Sequence, residues 1–368
     1  MKAIAVTPGK PGMVIVDRQE PVIHAPDDIK VRMLLVGICG TDKEEIKGNR
    51  FKLSPGEQNL VIGHEMFGVV ENVGTAVKKF KKGDYIAFTV RRGCGHCVSC
   101  NMNRPDMCTT GDYTERGIWG RDGYQTEFVV DKEQYAVKIP DAIQDRGVLI
   151  EPLSVAEKAI DEAIKIQSAR LPYYNSQENV IGGKNILVAG LGPIGLLASF
   201  ILRLKGANVY GLDIVDKHSI RAMLLESIGG KYIDGRVNTP VQIQKNVGKM
   251  DMIFEATGIA SLEFNLLDTL GINGIYVLTG IPSGDRPIRI DGAEIIRSLV
   301  LNNQVLIGSV NASHAHFQMA ADDLLKFNQM YKNEMDKIIT SRIDYNNIKD
   351  AISHDDQNQI KIVVEWMQ

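Results

Sequence analysis

The chain lacks the marks of several function classes. It carries no surplus of either charge: 42 lysines and arginines face 45 aspartates and glutamates, a formal net charge of −3 over 368 residues. That balance gives no footprint for nucleic acid or an anionic membrane. The opening apolar run, Met1 to Val6, is too short for a signal peptide and is soon followed by Pro8 and Gly9. No apolar run of membrane length is unbroken, because the longest, Ile186 to Leu202, contains Gly190, Gly192, Pro193 and Gly195. Internal repeats and low-complexity segments are absent. Cysteine is scarce, with 5 in all, and four of them crowd between Cys94 and Cys108. A disulfide framework would spread them, so metal ligation in a reducing cytoplasm is the better expectation. The remaining composition, 24% charged and 44% hydrophobic, suits a soluble chain of two domains.

What is present centres on Gly63-His64-Glu65-Met66-Phe67-Gly68, continued by Gly74 and Val77. An imidazole beside a carboxylate offers two zinc ligands, or an ordinary strand-edge pair. Upstream, Cys39 lies in Gly37-Ile38-Cys39-Gly40-Thr41-Asp42, a loop leading to a helix. A lone cysteine reads first as buried and structural; the nearby His64-Glu65 makes a ligand the better reading. Cys94, Cys97, Cys100 and Cys108 follow the spacing C-x2-C-x2-C-x7-C. Four thiolates fill a tetrahedral zinc sphere and leave no open position, which marks a structural site. An iron–sulfur centre or free thiols are the alternatives, and His96 is a spectator. Glu151 precedes a helical run from Ala156 to Ile166. It reads either as a carboxylate facing the helix N-terminus or as a metal or substrate contact.

Alternating segments through residue 36 predict antiparallel strands, with further strands from Gly83 to Phe88 and from Gly123 to Val130. A polar loop is expected over 168–184, including Pro172, Asn175, Ser176, Gly182 and Gly183. At Asn185 the pattern changes. A β-rich run reaches Gly190-Leu191-Gly192-Pro193-Ile194-Gly195, an apolar helix opens, and a second strand ends at Asp213. This is a dinucleotide fingerprint in its required setting, strand then glycine turn then helix. Asp213 is then a ribose contact, or it merely caps the next helix. Strands from Met250 to Glu255, Gly274 to Gly280 and Gln304 to Gly308 complete a parallel doubly wound sheet. The closing strand, Ile360 to Trp366, is expected to return to the first domain.

With these residues in this order, the chain resembles the zinc-containing medium-chain dehydrogenases over essentially its whole length. It meets the signature G-H-E-x2-G-x5-G-x2-V at every fixed position, and Cys39-Gly40-Thr41-Asp42, the cysteine lobe and Gly190 to Gly195 follow the family's order. Within the family it looks most like the archaeal type of glucose 1-dehydrogenase. The features are the Glu after the ligand His, Val148-Leu149-Ile150-Glu151-Pro152-Leu153, and Gly308-Ser309-Val310-Asn311 before His316-Phe317.

The resemblance implies an α/β fold, with a β-rich GroES-like catalytic domain over 1–184 and 310–368 and a Rossmann domain over 185–309. It implies that Cys39 and His64 hold a catalytic zinc, with Glu65 and Glu151 as direct or water-mediated ligands. Thr41 would accept the substrate proton, and Glu44 stands where related enzymes place a relay histidine. Glu115 and Asn311 match sugar contacts, beside Thr41 and Glu151. Leu278, Thr279, Gly280, Ser309, Val310 and Asn311 would join Gly190, Gly192, Pro193, Ile194, Gly195 and Asp213 around the cofactor. The implied reaction is oxidation of an aldose, D-glucose first, at C1 to the lactone, with hydride passing to NAD(P)+. Two zincs per chain and a homotetramer or dimer go with it.

Two departures stand out. Thr89 and Val155 fall where similar glucose dehydrogenases have Asn and Asp sugar contacts. Asp213-Ile214-Val215 replaces the Asn and two arginines of NADP-preferring relatives, so NAD is expected to serve at least as well as NADP. The rival readings are a polyol or other alcohol dehydrogenase of the same family, and a catalytically inactive NAD(P)H-binding relative. The retained Cys39, His64, Glu65 and Glu151 speak against the second.

Overall fold

The computed structural model describes residues 1–172, 178–282, 287–349 and 356–366. They form two compact units, Met1–Ser154 with Asn311–Gln368, and Val155–Val310. The first boundary falls inside a long helix instead of at 184/185, where the strand pattern changes. Residues 173–177 of the expected polar loop, Asn175 and Ser176 among them, lie outside the described residues.

Short alternating segments make the first unit β-rich. A small sheet joins β1 (Lys2–Thr7), β2 (Lys10–Asp17) and β4 (Leu60–Val61). The main sheet is built on β3 (Asp28–Ile38), which is long enough to serve different partners at its two ends. Its order is β11 (Ala136–Lys138), β6 (Tyr85–Phe88), β5 (Glu65–Val73), β3, β19 (Lys361–Glu365), β18 (Ile339–Asp344). β10 (Phe128–Lys132) pairs with the first half of β3. The closing strand does return to this sheet, with Val363 opposite Gly37. The strand expected from Gly123 to Val130 is shorter, because Tyr124 and Gln125 instead donate backbone bonds to the Gly63 and Ile62 carbonyls. A third sheet carries β7 (Arg91–Arg92), β8 (Thr114–Arg116) and β9 (Gly120–Arg121). The helices are α1 (Gly40–Ile46), α2 (Val98–Asn101), α10 (His314–Met330) and α11 (Lys332–Met335).

α3 (Ile150–Arg170) begins in the first unit and continues into the second. It starts earlier than its apolar periodicity suggested, so Glu151 lies in its first turn, not ahead of it. Pro152 is tolerated there because first-turn N–H groups have no intrahelical acceptor.

The second unit is a parallel sheet in the order β14 (Lys231–Asp234), β13 (Asn208–Asp213), β12 (Asn185–Ala189), β15 (Met250–Glu255), β16 (Leu270–Leu278), β17 (Val305–Gly308). Its helices are α4 (Glu178–Ile181), α5 (Pro193–Leu204), α6 (Ile220–Ser227), α7 (Pro240–Val247), α8 (Ala260–Asn265) and α9 (Gly292–Leu301). Central strands such as β12 are covered on both faces and read as continuous apolar runs. α5, apolar nearly all round, is buried from Gly195 to Leu202. A Cβ at Gly195 would lie 1.8 Å from the Gly190 carbonyl oxygen, so only glycine lets the helix start this close to the turn. Among the described residues no helix is long and apolar enough to cross a membrane.

Candidate active site and metal centres

β3 ends beside Cys39, which caps the N-terminus of α1, and β5 begins at Glu65, directly after His64. Pairing of Gly37 with Glu65 brings the two strand ends together. One ligand atom each from Cys39, His64 and Glu65 then lies within 4.8 Å of the other two. Glu151 lies outside that set, yet its charge and that of His64 influence each other. His64 Nδ1 is buried without a hydrogen-bond partner among the described residues and faces Asp42 Oδ1 across 3.7 Å. Asp42 is itself fixed by accepting from the Cys39 N–H at 2.7 Å. An imidazole backed by a carboxylate is the usual second layer of a zinc site.

The acids around this imidazole outnumber the cations. Burial, with the Asp42 charge, pushes the Glu45 carboxyl up to about 10, and neither of its oxygens has a hydrogen-bond partner among the described residues. Burial also raises Glu151 to about 7 and pushes Asp42 upward. Burial alone would lower His64, but Asp42 and the Cys39 sulfur outweigh it and hold the imidazole well above its ordinary value. Orphaned polar atoms and an acid surplus fit a divalent cation among these donors.

One member of the cluster escaped the sequence reading. Lys361 Nζ donates to both Glu65 oxygens at 2.7 Å and to the Ile38 carbonyl at 3.2 Å. Both side chains are almost wholly buried, 2% and 1% exposed. The Glu65 carboxylate, expected as a direct or water-mediated ligand, is therefore also part of a buried ion pair. A Cβ at Gly37 would lie 2.0 Å from Glu65 Oε2, so glycine makes the room. The available signal was a lysine inside an apolar closing strand, Ile360-Lys361-Ile362-Val363-Val364. Thr41 is half-buried in the first turn of α1. Glu44 instead accepts from Lys47 at 2.7 Å, which holds its carboxyl below the usual range.

In the lobe, the sulfurs of Cys94, Cys97, Cys100 and Cys108 lie within 4.8 Å of one another. The Cys94 and Cys100 sulfurs are 3.9 Å apart, well beyond the roughly 2.05 Å of a disulfide. Backbone N–H groups of Cys97 and Cys100 donate to the sulfurs of Cys94 and Cys97 at 3.3 and 3.5 Å. Backbone donors from Thr109 and Cys100 bring the Cys97 thiol down to about 5, and the Thr110 hydroxyl helps bring Cys108 to about 7. Burial pushes Cys100 up to about 12. Four sulfurs converging with N–H support are the donor set of a closed zinc site. His96 is exposed, with Nδ1 on the Cys94 carbonyl at 3.0 Å.

Of the expected sugar contacts, Asn311 Nδ2 donates to Glu115 Oε1 at 2.7 Å, so these two meet. Thr89 is only 3% exposed, and its hydroxyl accepts from Arg92 Nη1 at 3.2 Å. It is a core residue here. Val155 is half-buried in α3.

In the second unit, Gly190 takes φ +88° and Gly192 caps α5 without a side-chain acceptor, leaving first-turn N–H groups to face an anion. Pro193 and Ile194 open that helix. Asp213 closes β13; its Oδ2 accepts from the Leu191 N–H at 2.6 Å and its Oδ1 from the Ile214 N–H at 2.7 Å. It does not cap the next helix, since Ser219 does so through the Ala222 N–H at 3.3 Å. Thr279 donates to the Glu255 carbonyl from N–H and hydroxyl at 2.9 and 2.6 Å. Ser309 N–H donates to the Leu278 carbonyl at 2.9 Å. Thr279-Gly280 and Ser309-Val310 thus follow the carboxyl ends of β16 and β17, the edge at which such sheets bind dinucleotides. Asn311, φ +63°, is the next residue and opens the return to the first unit.

Comparison with known proteins agrees with this geometry. Residues 144–366 match the family described as glucose dehydrogenase C-terminus, and residues 25–141 the alcohol dehydrogenase GroES-like domain. Glucose 1-dehydrogenase 2 of Vulcanisaeta moutnovskia is 38% identical, covering 100% of both chains. Glucose 1-dehydrogenase of Methanocella arvoryzae is 35% identical over 99% of both. Among solved structures, Haloferax mediterranei glucose dehydrogenase in complex with NADP, Zn and gluconolactone superposes with a TM-score of 0.89. It is 32% identical, with 100% of each chain covered.

Proposed function

The chain belongs to the glucose dehydrogenase family of the zinc-containing medium-chain dehydrogenases, and we propose that it oxidises an aldose, D-glucose first, at C1 to the lactone, with NAD(P)+ as hydride acceptor. The observation that carries the reading is the Glu115–Asn311 pair, a polar grip for hydroxyls in the unit that also assembles Cys39 with His64. Cys39 and His64 would hold a zinc, which would supply Lewis acidity to lower the pKa of the anomeric hydroxyl, and a bound nicotinamide would supply the hydride acceptor. Asp42 orients His64. Lys361 holds the Glu65 carboxylate beside the donor set, where it contributes charge. Thr41 takes the hydroxyl proton towards solvent. Glu115 and Asn311 grip ring hydroxyls, which disfavours substrates that would leave them unpaired. Cys94, Cys97, Cys100 and Cys108 would hold a second zinc.

Asp213 favours NAD, because its carboxylate would repel a 2′-phosphate and no arginine follows at 214 or 215. Lys217 and Arg221 are the nearest cations in sequence. The homo-oligomer is supported by an edge left unpaired among the described residues. There β17 ends its sheet, and α9, which leads into it, exposes Ile296, Val300 and Leu301, 63 to 72% accessible. Apolar surface beside a free strand edge suits a second copy.

The test is a dehydrogenase assay over aldoses, polyols and simple alcohols with both cofactors. Glucose is expected among the best substrates, with kcat/KM for NAD at least equal to that for NADP. Turnover of polyols or alcohols without any aldose oxidation would refute the reading; a large NADP preference would refute the role given to Asp213.

A further inference from the structure

Arg91 is 8% exposed, and every nitrogen of its guanidinium is engaged. Nε and Nη2 donate to the same oxygen, Glu115 Oε1, at 3.0 and 2.9 Å. Nη1 donates to the Asp106 backbone carbonyl at 2.7 Å, and the guanidinium lies 4.0 Å over the Tyr113 ring. The ladder between β7 and β8 sets Arg91 directly opposite Glu115. Glu115 Oε1 therefore accepts from Arg91 twice and from Asn311 once, while Oε2 accepts from no donor among the described residues.

The far end of this chain of bonds lies in the cysteine lobe. Asp106 belongs to the short turn Pro105–Met107, between Cys100 and Cys108. The lobe is pressed against the end of β7: a Cβ at Gly93 would lie 2.4 Å from the Cys100 sulfur and 3.0 Å from Pro105 Cβ. The Asp106 carbonyl thus has little freedom relative to Arg91.

We propose that Arg91 is a positioning residue for sugar specificity. It pins Glu115 by one oxygen, leaves Oε2 to grip a substrate hydroxyl, and ties that carboxylate through the Asp106 carbonyl to the four-cysteine lobe. The inference rests on Glu115 being a sugar contact. A carboxylate held through one oxygen by a charged donor and an amide keeps its second oxygen aimed, with less rotamer freedom to lose on binding. An arginine is suited to this because its planar fork is preorganised, whereas a lysine offers a single flexible point charge.

The experiment compares sugar selectivity across the C2, C3 and C4 epimers of glucose for the holoenzyme and its Glu115→Gln, Arg91→Gln and Arg91→Lys variants. Glu115→Gln is expected to flatten discrimination at one carbon. Arg91→Gln should flatten it at that same carbon, raising KM for glucose about tenfold while KM for the cofactor is unchanged, the loss expected of a charged hydrogen bond. Arg91→Lys should recover part of this. The double variant should be no worse than the more affected single one, since both remove one unit. Loosening the lobe turn with Pro105→Gly, which leaves every cysteine in place, should reproduce the pattern in milder form.

If Glu115→Gln leaves selectivity unchanged, the sugar-contact reading itself is wrong. If Glu115→Gln alters selectivity while Arg91→Gln lowers only stability, or shifts all sugars and the cofactor equally, the positioning role is wrong and the contact stands. A normal profile in Pro105→Gly removes the lobe from the argument.

Discussion

The two candidate metal centres of the first unit are built in opposite ways. The four-cysteine lobe draws its donors from one short stretch around α2, and turns within that stretch aim all four sulfurs. The Cys39–His64 centre draws on the end of β3, the start of α1 and the start of β5, with Lys361 arriving from the last strand. Its surroundings are deeply buried and acid-rich, with Asp42 and Glu45 near enough for their charges to act on the imidazole. A closed, local site serves folding. An assembled site leaves a position for substrate, and the surrounding fold must hold its charges.

The sharpest way to break this contrast is to remove one sulfur from each. Cys39→Ser is expected to cut turnover by at least ~10³-fold, several kcal/mol of lost Lewis acidity, with little change in melting temperature. Cys97→Ser should lower the melting temperature while the folded fraction still turns over. Metal analysis should give two zincs in the parent and one in each variant. Equal losses of stability and activity in both variants would erase the distinction.

A second test concerns the charge that the assembled site must hold. Lys361→Met leaves the buried Glu65 carboxylate without its partner, at a cost of about 3–5 kcal/mol in stability. The double variant Lys361→Met/Glu65→Gln should regain much of it, because both charges are then gone. Denaturant unfolding of the zinc-loaded proteins measures this. A single-variant loss below ~1 kcal/mol would mean that the pair is not what keeps Glu65 in place.

The smallest expected effect lies in the ground under the lobe. Asp131 Oδ2 accepts from Arg92 at 2.8 Å and from Arg116 at 2.7 Å, and Arg92 sits in β7, next to the lobe. Burial alone would raise this carboxyl, but the two guanidinium groups hold it far below the ordinary range. The unfolded chain therefore binds the proton first. The contribution is complete above the unfolded value of roughly 3.9 and is lost as the pH falls below it towards the folded value. Asp131→Asn should flatten stability against pH in that window relative to the parent; an unchanged slope would show that other carboxylates govern acid unfolding.

Legibility followed the same divide. The cysteine lobe and the glycine turn could be read because their parts are neighbours in the chain and their spacing is itself the geometry. Asp213 was readable as a strand end, but its bond to the Leu191 N–H needed β12 and β13 side by side. β14 and β18 were missed. β14 is short and not fully buried, and β18 gains its meaning from parallel pairing with β19. Thr89 shows the limit of positional likeness, since its hydroxyl turned out to serve Arg92.

The sequence by itself determined the donor types, the two-fold division into a β-rich part and a parallel-sheet part, and the two glycine-framed motifs, because local spacing and periodicity encode those directly. Only the tertiary structure decided which carboxylates stand at the open centre and in what state. Glu65 went to Lys361, Glu151 stayed outside the convergent set, and Glu115 was pinned by Arg91. Each outcome depends on strands far apart in the chain meeting in one register, and burial then leaves a charge no partner except the one that register supplies.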